Sequence, residues 1–107
     1  MPHPLCVGPA DLAEGELRGV SHQRWHILLA RRGGQLFALD NWCNHAGCLL
    51  SGGRIEEQKV ICPCHEVGFD LATGEVVTEP VLCEGQATFA VHERDGQLWI
   101  DLPDDAS

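Results

Sequence analysis

The chain has 107 residues, 44% of them hydrophobic, and a formal net charge of −9. This length supports one modest hydrophobic core, so we expect a single domain over residues 1–107. The negative charge argues against nucleic acid or an anionic membrane as a partner and favours a basic protein surface. No apolar run approaches the roughly 18 residues of a membrane span, so we expect none.

The first fifteen residues, MPHPLCVGPADLAEG, have neither a basic start before an apolar stretch nor a twin-arginine pair. Export signals carry these features, so we expect a cytoplasmic protein, and a monomer. Six cysteines are many for a reducing compartment, where thiols usually serve metals or redox chemistry. Four of them fall in two short stretches, which favours a bound metal centre.

Strand signals dominate the chain in sequence order and predict an all-β fold. Residues 9–12 form at most one helical turn, and residues 17–20 and 25–30 are β-prone. Gly-Gly at 33–34 is a turn signal between WHILLARR and QLFALD, which predicts a hairpin. Asp-Gly at 95–96 predicts a second hairpin in ATFAVHERDGQLWIDL, with Phe and Val on its buried face.

The segment between the two hairpins is predicted to consist of loops and short strands. A loop over residues 41–53 precedes a short strand near 59–61, and a second loop covers 62–68. A turn at 73–74 then leads into a strand over 75–77. Both loops leave short strands, so they are able to lie side by side.

The two loops contain the crowded stretches CNHAGCLLSGG and ICPCHEVGFDLATG. The first offers Cys43-x-His45 and the second Cys62-x-x-His65, so each supplies one thiolate and one imidazole. A zinc site is one reading, although zinc usually pairs like residues along the chain. The mixed pairing suits a binuclear cluster in which two cysteines hold one iron and two histidines the other.

These stretches resemble the two boxes of the Rieske 2Fe-2S family. The matching positions are Cys43, His45, Gly47, Leu50, Gly53, Cys62, Pro63, His65, Phe69, Asp70, Thr73 and Gly74. The resemblance implies a Rieske-type antiparallel β-sandwich with a small cluster-binding subdomain, about residues 42–76, formed by the two loops. It also implies one 2Fe-2S cluster per chain, with Cys43, His45, Cys62 and His65 as ligands.

The resemblance further implies a disulfide between Cys48 and Cys64. Rieske subunits of the cytochrome b complexes have such cysteines in CxHxGC and CPCH boxes, whereas small dioxygenase-type ferredoxins usually lack them. The chain therefore combines features of two subgroups. Cys6 and Cys83 lie outside both boxes, and we expect them to be small buried residues on strands.

Three positions within the second box are expected to tune the cluster. High-potential family members carry Ser and Tyr hydroxyl donors where this chain has Val67 and Phe69. Glu66 replaces a common Gly, adds a negative charge and is expected to avoid a positive φ. Because these changes disfavour the reduced centre, we predict a potential below about +75 mV at neutral pH.

The function that the resemblance implies is that of a soluble one-electron carrier. It takes electrons from a flavoprotein reductase and passes them to a terminal oxygenase or similar redox protein. Because the chain has no spare mononuclear iron triad, we expect it not to be an enzyme itself. The alternatives are a Rieske small subunit of a respiratory, arsenite-oxidase-like or nitrite-reductase-like complex, which the disulfide cysteines favour, and a zinc-binding interaction module.

Overall fold

The computed structural model describes residues 3–22, 25–42, 48–64, 66–77 and 85–102. Within these ranges the chain forms ten β-strands in three sheets, and the one helical segment is the short 3-10 turn Leu50–Gly52. The predicted all-β fold is confirmed. Among the same residues, no helix has the length and apolar character needed to cross a bilayer.

The strands are numbered from the N-terminus to the C-terminus. They are β1 His3–Pro9, β2 Leu17–His22, β3 Trp25–Arg32, β4 Gln35–Asp40, β5 Arg54–Glu56, β6 Lys59–Ile61, β7 Gly68–Asp70, β8 Thr88–Phe89, β9 Val91–Arg94 and β10 Gln97–Leu102. The sheets have the orders β1-β10-β9, β2-β3-β4-β8 and β5-β6-β7, and their strands pair antiparallel.

Both predicted hairpin turns are present. Gly33 and Gly34 join β3 to β4 with φ values of 64° and 78°, and Asp95 and Gly96 join β9 to β10 with 56° and 76°. Two consecutive positive φ values are what a tight two-residue hairpin requires, because they match the twist of the strands. The turn chemistry of the sequence therefore determined the local backbone.

Strand β3 is buried on both faces. Its residues Ile27, Leu28, Leu29 and Ala30 are all at most 1% exposed, because β3 lies in the sheet between two separate cores. Leu28 and Ala30 belong to one core, and Ile27 and Leu29 to the other. Side chains alternate along a strand, so one apolar run serves two cores.

The two cores divide the molecule at this central sheet. The loop-side core consists of Leu28, Ala30, Leu39, Leu50, Val60, Cys62, Val67, Phe69 and Leu71. The base core consists of Val7, Leu12, Ile27, Leu29, Ala38, Leu98, Ile100 and Leu102. Both crowded stretches thus contribute side chains to the loop-side core, which supports the loops from below.

The first and last sheets differ from the sequence predictions in three places. Strand β1 pairs with β10 and was not predicted, and residues 9–12 continue from it without the suggested helical turn. The predicted strand over 75–77 is reduced to a single bridge between Phe69 and Val76. The pairing of β1 with β10 joins opposite ends of the chain, which local patterns do not reveal.

The second hairpin also changes partner within its first strand. β8 pairs with β4, whereas β9 pairs with β10, so the stretch before the turn of the predicted hairpin is divided at Ala90. The predicted alternation holds across the break, since Phe89 and Val91 are half-buried while Ala90 and His92 are exposed. The stretch from β8 to β9 therefore connects two different sheets, whereas the sequence pattern predicted one hairpin.

Cys6 corrects a further prediction. Its side chain is exposed on β1, and its thiol lies 2.8 Å from Oε1 of Gln97. The adjacent Val7 is buried in the base core, so the period of the strand places Cys6 on the outer face. Cys83 lies outside the described residues.

Candidate metal centre

The first loop is closed at its base by the buried side chain of Asn41. Its Nδ2 donates to Oγ of Ser51 at 3.0 Å, and its Oδ1 accepts from the Ser51 backbone N–H at 2.7 Å. Its carbonyl oxygen accepts from the N–H of Leu50 at 2.8 Å. One amide thus joins the two ends of the loop that contains Cys43 and His45.

A second buried amide reaches the same loop from elsewhere in the chain. Nε2 of Gln86 donates to the carbonyl oxygens of Asp40, at 2.8 Å, and Trp42, at 2.6 Å. Sequence reasoning missed both amides. The position of Asn41 directly before the first box was an available signal, but Gln86 is 44 residues from Trp42 and carries none.

The second loop is a six-residue connection between β6 and β7. The N–H of Cys62 donates to the carbonyl oxygen of Val67 at 2.8 Å, and the N–H of Glu66 donates to that of Cys62 at 3.0 Å. The next pair outward, Ile61 and Gly68, belongs to the sheet ladder. The loop is therefore fixed at its base by a regular strand pair.

The predicted disulfide between Cys48 and Cys64 is present and joins the two loops. Their Cα atoms are 6.4 Å apart, within the usual range for a bridged pair. Cys48 follows His45 by three positions and Cys64 immediately precedes His65. The disulfide thus brings the two boxes side by side, as the resemblance implied.

Of the four predicted ligands, the described residues include Cys62. It follows the loop-side strand β6, is fully buried and carries a free thiol. Cys43, His45 and His65 lie outside the described residues. A buried free thiol between two joined loops, in a chain that offers a further thiol and two imidazoles, fits the donor set of a Rieske cluster.

Glu66 occupies the position where a positive φ was expected to be avoided, and that prediction is wrong. Its φ is 58°, and its carboxylate accepts two hydrogen bonds from Arg54, at 2.8 and 3.1 Å. The guanidinium beside it lowers the pKa of Glu66 below its ordinary value of 4.5. Fixed contacts at both its backbone and its side chain hold Glu66 in a conformation that its type disfavours.

The two other predicted tuning positions are buried. Val67 and Phe69 lie in the loop-side core together with Cys62, and neither side chain can donate a hydrogen bond. Their effect on a cluster stays a prediction. Trp42 and Leu49, by contrast, pair across the first loop and leave 49% and 44% of their surfaces exposed.

The fold and the paired Cys and His boxes are those of an iron–sulfur protein. The family model described as Rieske [2Fe-2S] domain matches residues 3–93. The chain belongs to the Rieske [2Fe-2S] family. Its cofactor is accordingly a Rieske 2Fe-2S cluster, and the zinc alternative is set aside.

Its relatives include ferredoxins of similar length. The chain is 31% identical over 97 residues to the ferredoxin component of the naphthalene 1,2-dioxygenase system of Pseudomonas putida, covering 91% of this chain and 92% of the relative. It is 32% identical over 96 residues to the 3-phenylpropionate/cinnamic acid dioxygenase ferredoxin subunit of Escherichia coli K12, covering 89% of each. The solved ferredoxin of Sphingomonas yanoikuyae B1 superposes with a TM-score of 0.84 at 29% identity, over 94% of this chain and 100% of that one.

Proposed function

We propose that this protein is the ferredoxin component of an oxygenase system, carrying single electrons from a flavoprotein reductase to a terminal oxygenase. The observation that carries the proposal is the alignment with two such components over about nine tenths of both chains. Both relatives are named as ferredoxin components of dioxygenase systems, and we infer that this chain likewise carries electrons and has no catalytic activity of its own.

The proposed ligands are Cys43 and Cys62, which would hold one iron, and His45 and His65, which would hold the other. When bound, the cluster accepts and releases one electron. The burial of Cys62 supports its role, because its free thiol lies in the loop-side core and is shielded from solvent. The hydrogen bonds of Asn41 support the proposal from the first loop, since they hold its two ends together.

We further propose a cytoplasmic monomer that is one domain over residues 1–107, with the cluster-binding part at about residues 42–76. The net charge of −9 supports docking to basic surfaces of its redox partners. The exposed Trp42 and Leu49, beside the first loop, supply apolar area for such a contact.

The Cys48–Cys64 disulfide favours a second candidate, a Rieske small subunit of a larger redox complex. The two candidates differ in what they require. A ferredoxin exchanges electrons with a separate reductase and oxygenase as a free protein, whereas a small subunit remains bound to its complex during purification.

The cluster assignment is tested with purified protein and two variants. We expect two irons and two acid-labile sulfides per chain, and an EPR spectrum of the reduced protein that shows nitrogen ligation. Cys62→Ser should lose most of the iron, while the matched control Cys6→Ser, on the exposed face of β1, should retain it. Full iron content in Cys62→Ser would contradict the ligand set.

The carrier role is tested by electron transfer. A dioxygenase-system reductase with NADH should reduce the purified protein, and an oxygenase component should reoxidise it. Purification as a stable complex with a larger subunit, with no exchange as a free protein, would contradict the ferredoxin role and support the second candidate.

A further inference from the structure

We propose that Arg54 is a positioning residue of the cluster: through its paired contact with Glu66 it fixes the second loop and offsets the negative charge beside His65, which raises the reduction potential. The inference rests on the proposed ligand set. It concerns a residue outside both boxes and a pair in which the partner, Glu66, replaces the family's common Gly.

The contact is a bidentate ion pair. Nη2 of Arg54 lies 2.8 Å from Oε1 of Glu66, and Nη1 lies 3.1 Å from Oε2, so both carboxylate oxygens are used. Nε of Arg54 donates to Oε2 of Glu56 at 2.6 Å. Contacts to two carboxylates restrict the orientation of the guanidinium, and its planar fork matches the carboxylate geometry.

Arg54 is placed by the sheet and not by a loop. It begins β5 and pairs with Ile61 of β6, the residue directly before Cys62. Glu66 is in turn tied to Cys62, because its N–H donates to the Cys62 carbonyl oxygen at 3.0 Å. Side chain and backbone thus hold Glu66 from two sides, and the residue between Cys64 and Glu66 is the proposed ligand His65.

The charges explain why the pair affects electron uptake. One cation and two carboxylates give Arg54, Glu56 and Glu66 a net charge of −1. Without Arg54 the net charge becomes −2, and a more negative surrounding opposes the entry of an electron. Arg54 therefore offsets the lowering of the potential that Glu66 alone produces.

The test is a double-mutant cycle measured by protein-film voltammetry. Arg54→Gln should shift the potential to a lower value and Glu66→Gln to a higher value. The double variant restores the parent net charge, so its potential should return close to the parent value. Arg54→Lys keeps the charge but loses the fork, and its potential should lie between those of Arg54→Gln and the parent.

The dependence of the potential on ionic strength distinguishes an effect of charge from an effect of loop structure. Arg54 and Glu66 are 51% and 61% exposed, so mobile ions screen their field. The shift in Arg54→Gln should shrink as ionic strength rises. The matched control is Arg18→Gln, which breaks another arginine–carboxylate pair, to Asp11 at 2.6 Å. The Arg18 side chain also binds the carbonyl oxygen of Pro9, so its contacts are to the N-terminal segment, and the variant should leave the potential unchanged.

Three outcomes overturn the inference. Arg54→Gln and Glu66→Gln shifting in the same direction would show that loosening of the loop dominates, and equal potentials in Arg54→Gln and Arg18→Gln would remove the effect altogether. Failure of Arg54→Gln to assemble a cluster, together with an unshifted Glu66→Gln, would also contradict it. A parent protein without iron, sulfide and nitrogen-ligated EPR signals would instead contradict the proposed ligand set.

Discussion

Single amide side chains determine the shape of the first loop as much as the proposed ligands do. Asn41 and Gln86 are each 4% exposed and satisfy backbone groups at the loop ends. An unpaired buried backbone group costs about 1–3 kcal/mol, so these bonds are worth more than their number suggests. Ligand positions alone therefore do not describe the requirements of the site.

The reduction potential is expected to lie below about +75 mV at neutral pH, in the lower half of the Rieske range. The physical reason is that Val67 and Phe69 offer no hydroxyl to the reduced centre and Glu66 adds a negative charge. Arg54 limits this second contribution. Protein-film voltammetry measures the value, and a potential well above the limit would contradict the argument from missing donors.

A side chain at Gly74 is expected to cost more stability than a side chain at Gly34. Both have a φ of 78°, but a Cβ on Gly74 would overlap the carbonyl oxygen of Gln86, while one on Gly34 would meet open space. Gly34→Ala should cost about 1 kcal/mol of unfolding free energy, and Gly74→Ala about 1–3 kcal/mol more.

Denaturant unfolding followed by circular dichroism compares the two variants. Because Gln86 binds the Trp42 carbonyl oxygen, Gly74→Ala should also shorten the lifetime of the cluster at elevated temperature. Equal unfolding midpoints for the two variants would show that the loop relaxes around the added methyl group.

At the scale of elements, one carboxylate caps the central hairpin. Glu14 accepts the N–H groups of Gly33 at 2.7 Å and Gly34 at 3.0 Å. These bonds, first that from Gly34, hold the pKa of Glu14 below its ordinary value of 4.5. The contact connects the segment before β2 to the turn between β3 and β4.

Glu14→Gln should destabilise the protein at neutral pH and have less effect in acid. A lowered folded pKa means that the stabilisation is complete above 4.5 and is lost as the pH falls through the folded pKa. The gap in thermal midpoint between parent and variant should therefore narrow below pH 4.5. If the difference in thermal midpoint between parent and variant does not change with pH, the loss of stability comes from altered packing and not from the lost carboxylate charge.

The Cys48–Cys64 disulfide is a second contact that joins separate elements of the fold. It closes a loop with a sequence separation of 16, which corresponds to about 3 kcal/mol in the chain-entropy model. The double variant Cys48→Ser/Cys64→Ser should keep the cluster type but lose its colour faster on heating. Cys6→Ser, at the exposed free cysteine, is the control and should behave like the parent.

The sequence predicted the elements whose signals are local and missed those that depend on distant partners. Turn residues located the β3–β4 and β9–β10 hairpins, and ligand spacing identified the two boxes. β1 was missed because its pairing partner is β10, and the change of partner at Ala90 was missed because it depends on two sheets at once. Arg54, the partner of Glu66, lies 12 residues away and no local pattern connects them.

At the scale of the molecule, charge dominates the expected encounters with partners. Sixteen acidic and seven basic side chains give the net charge of −9. The rate of reduction by a basic reductase surface should fall about tenfold between low and high ionic strength. Stopped-flow spectroscopy measures it, with a small uncharged reductant as control. A rate independent of salt would contradict electrostatic steering.

Strand β3 contributes alternate side chains to the loop-side core and to the base core. If either core unfolds, the other therefore loses the support of this strand. We therefore expect the two cores to unfold together in one cooperative transition. Fading of the visible colour would then report the integrity of strands at the far side of the protein.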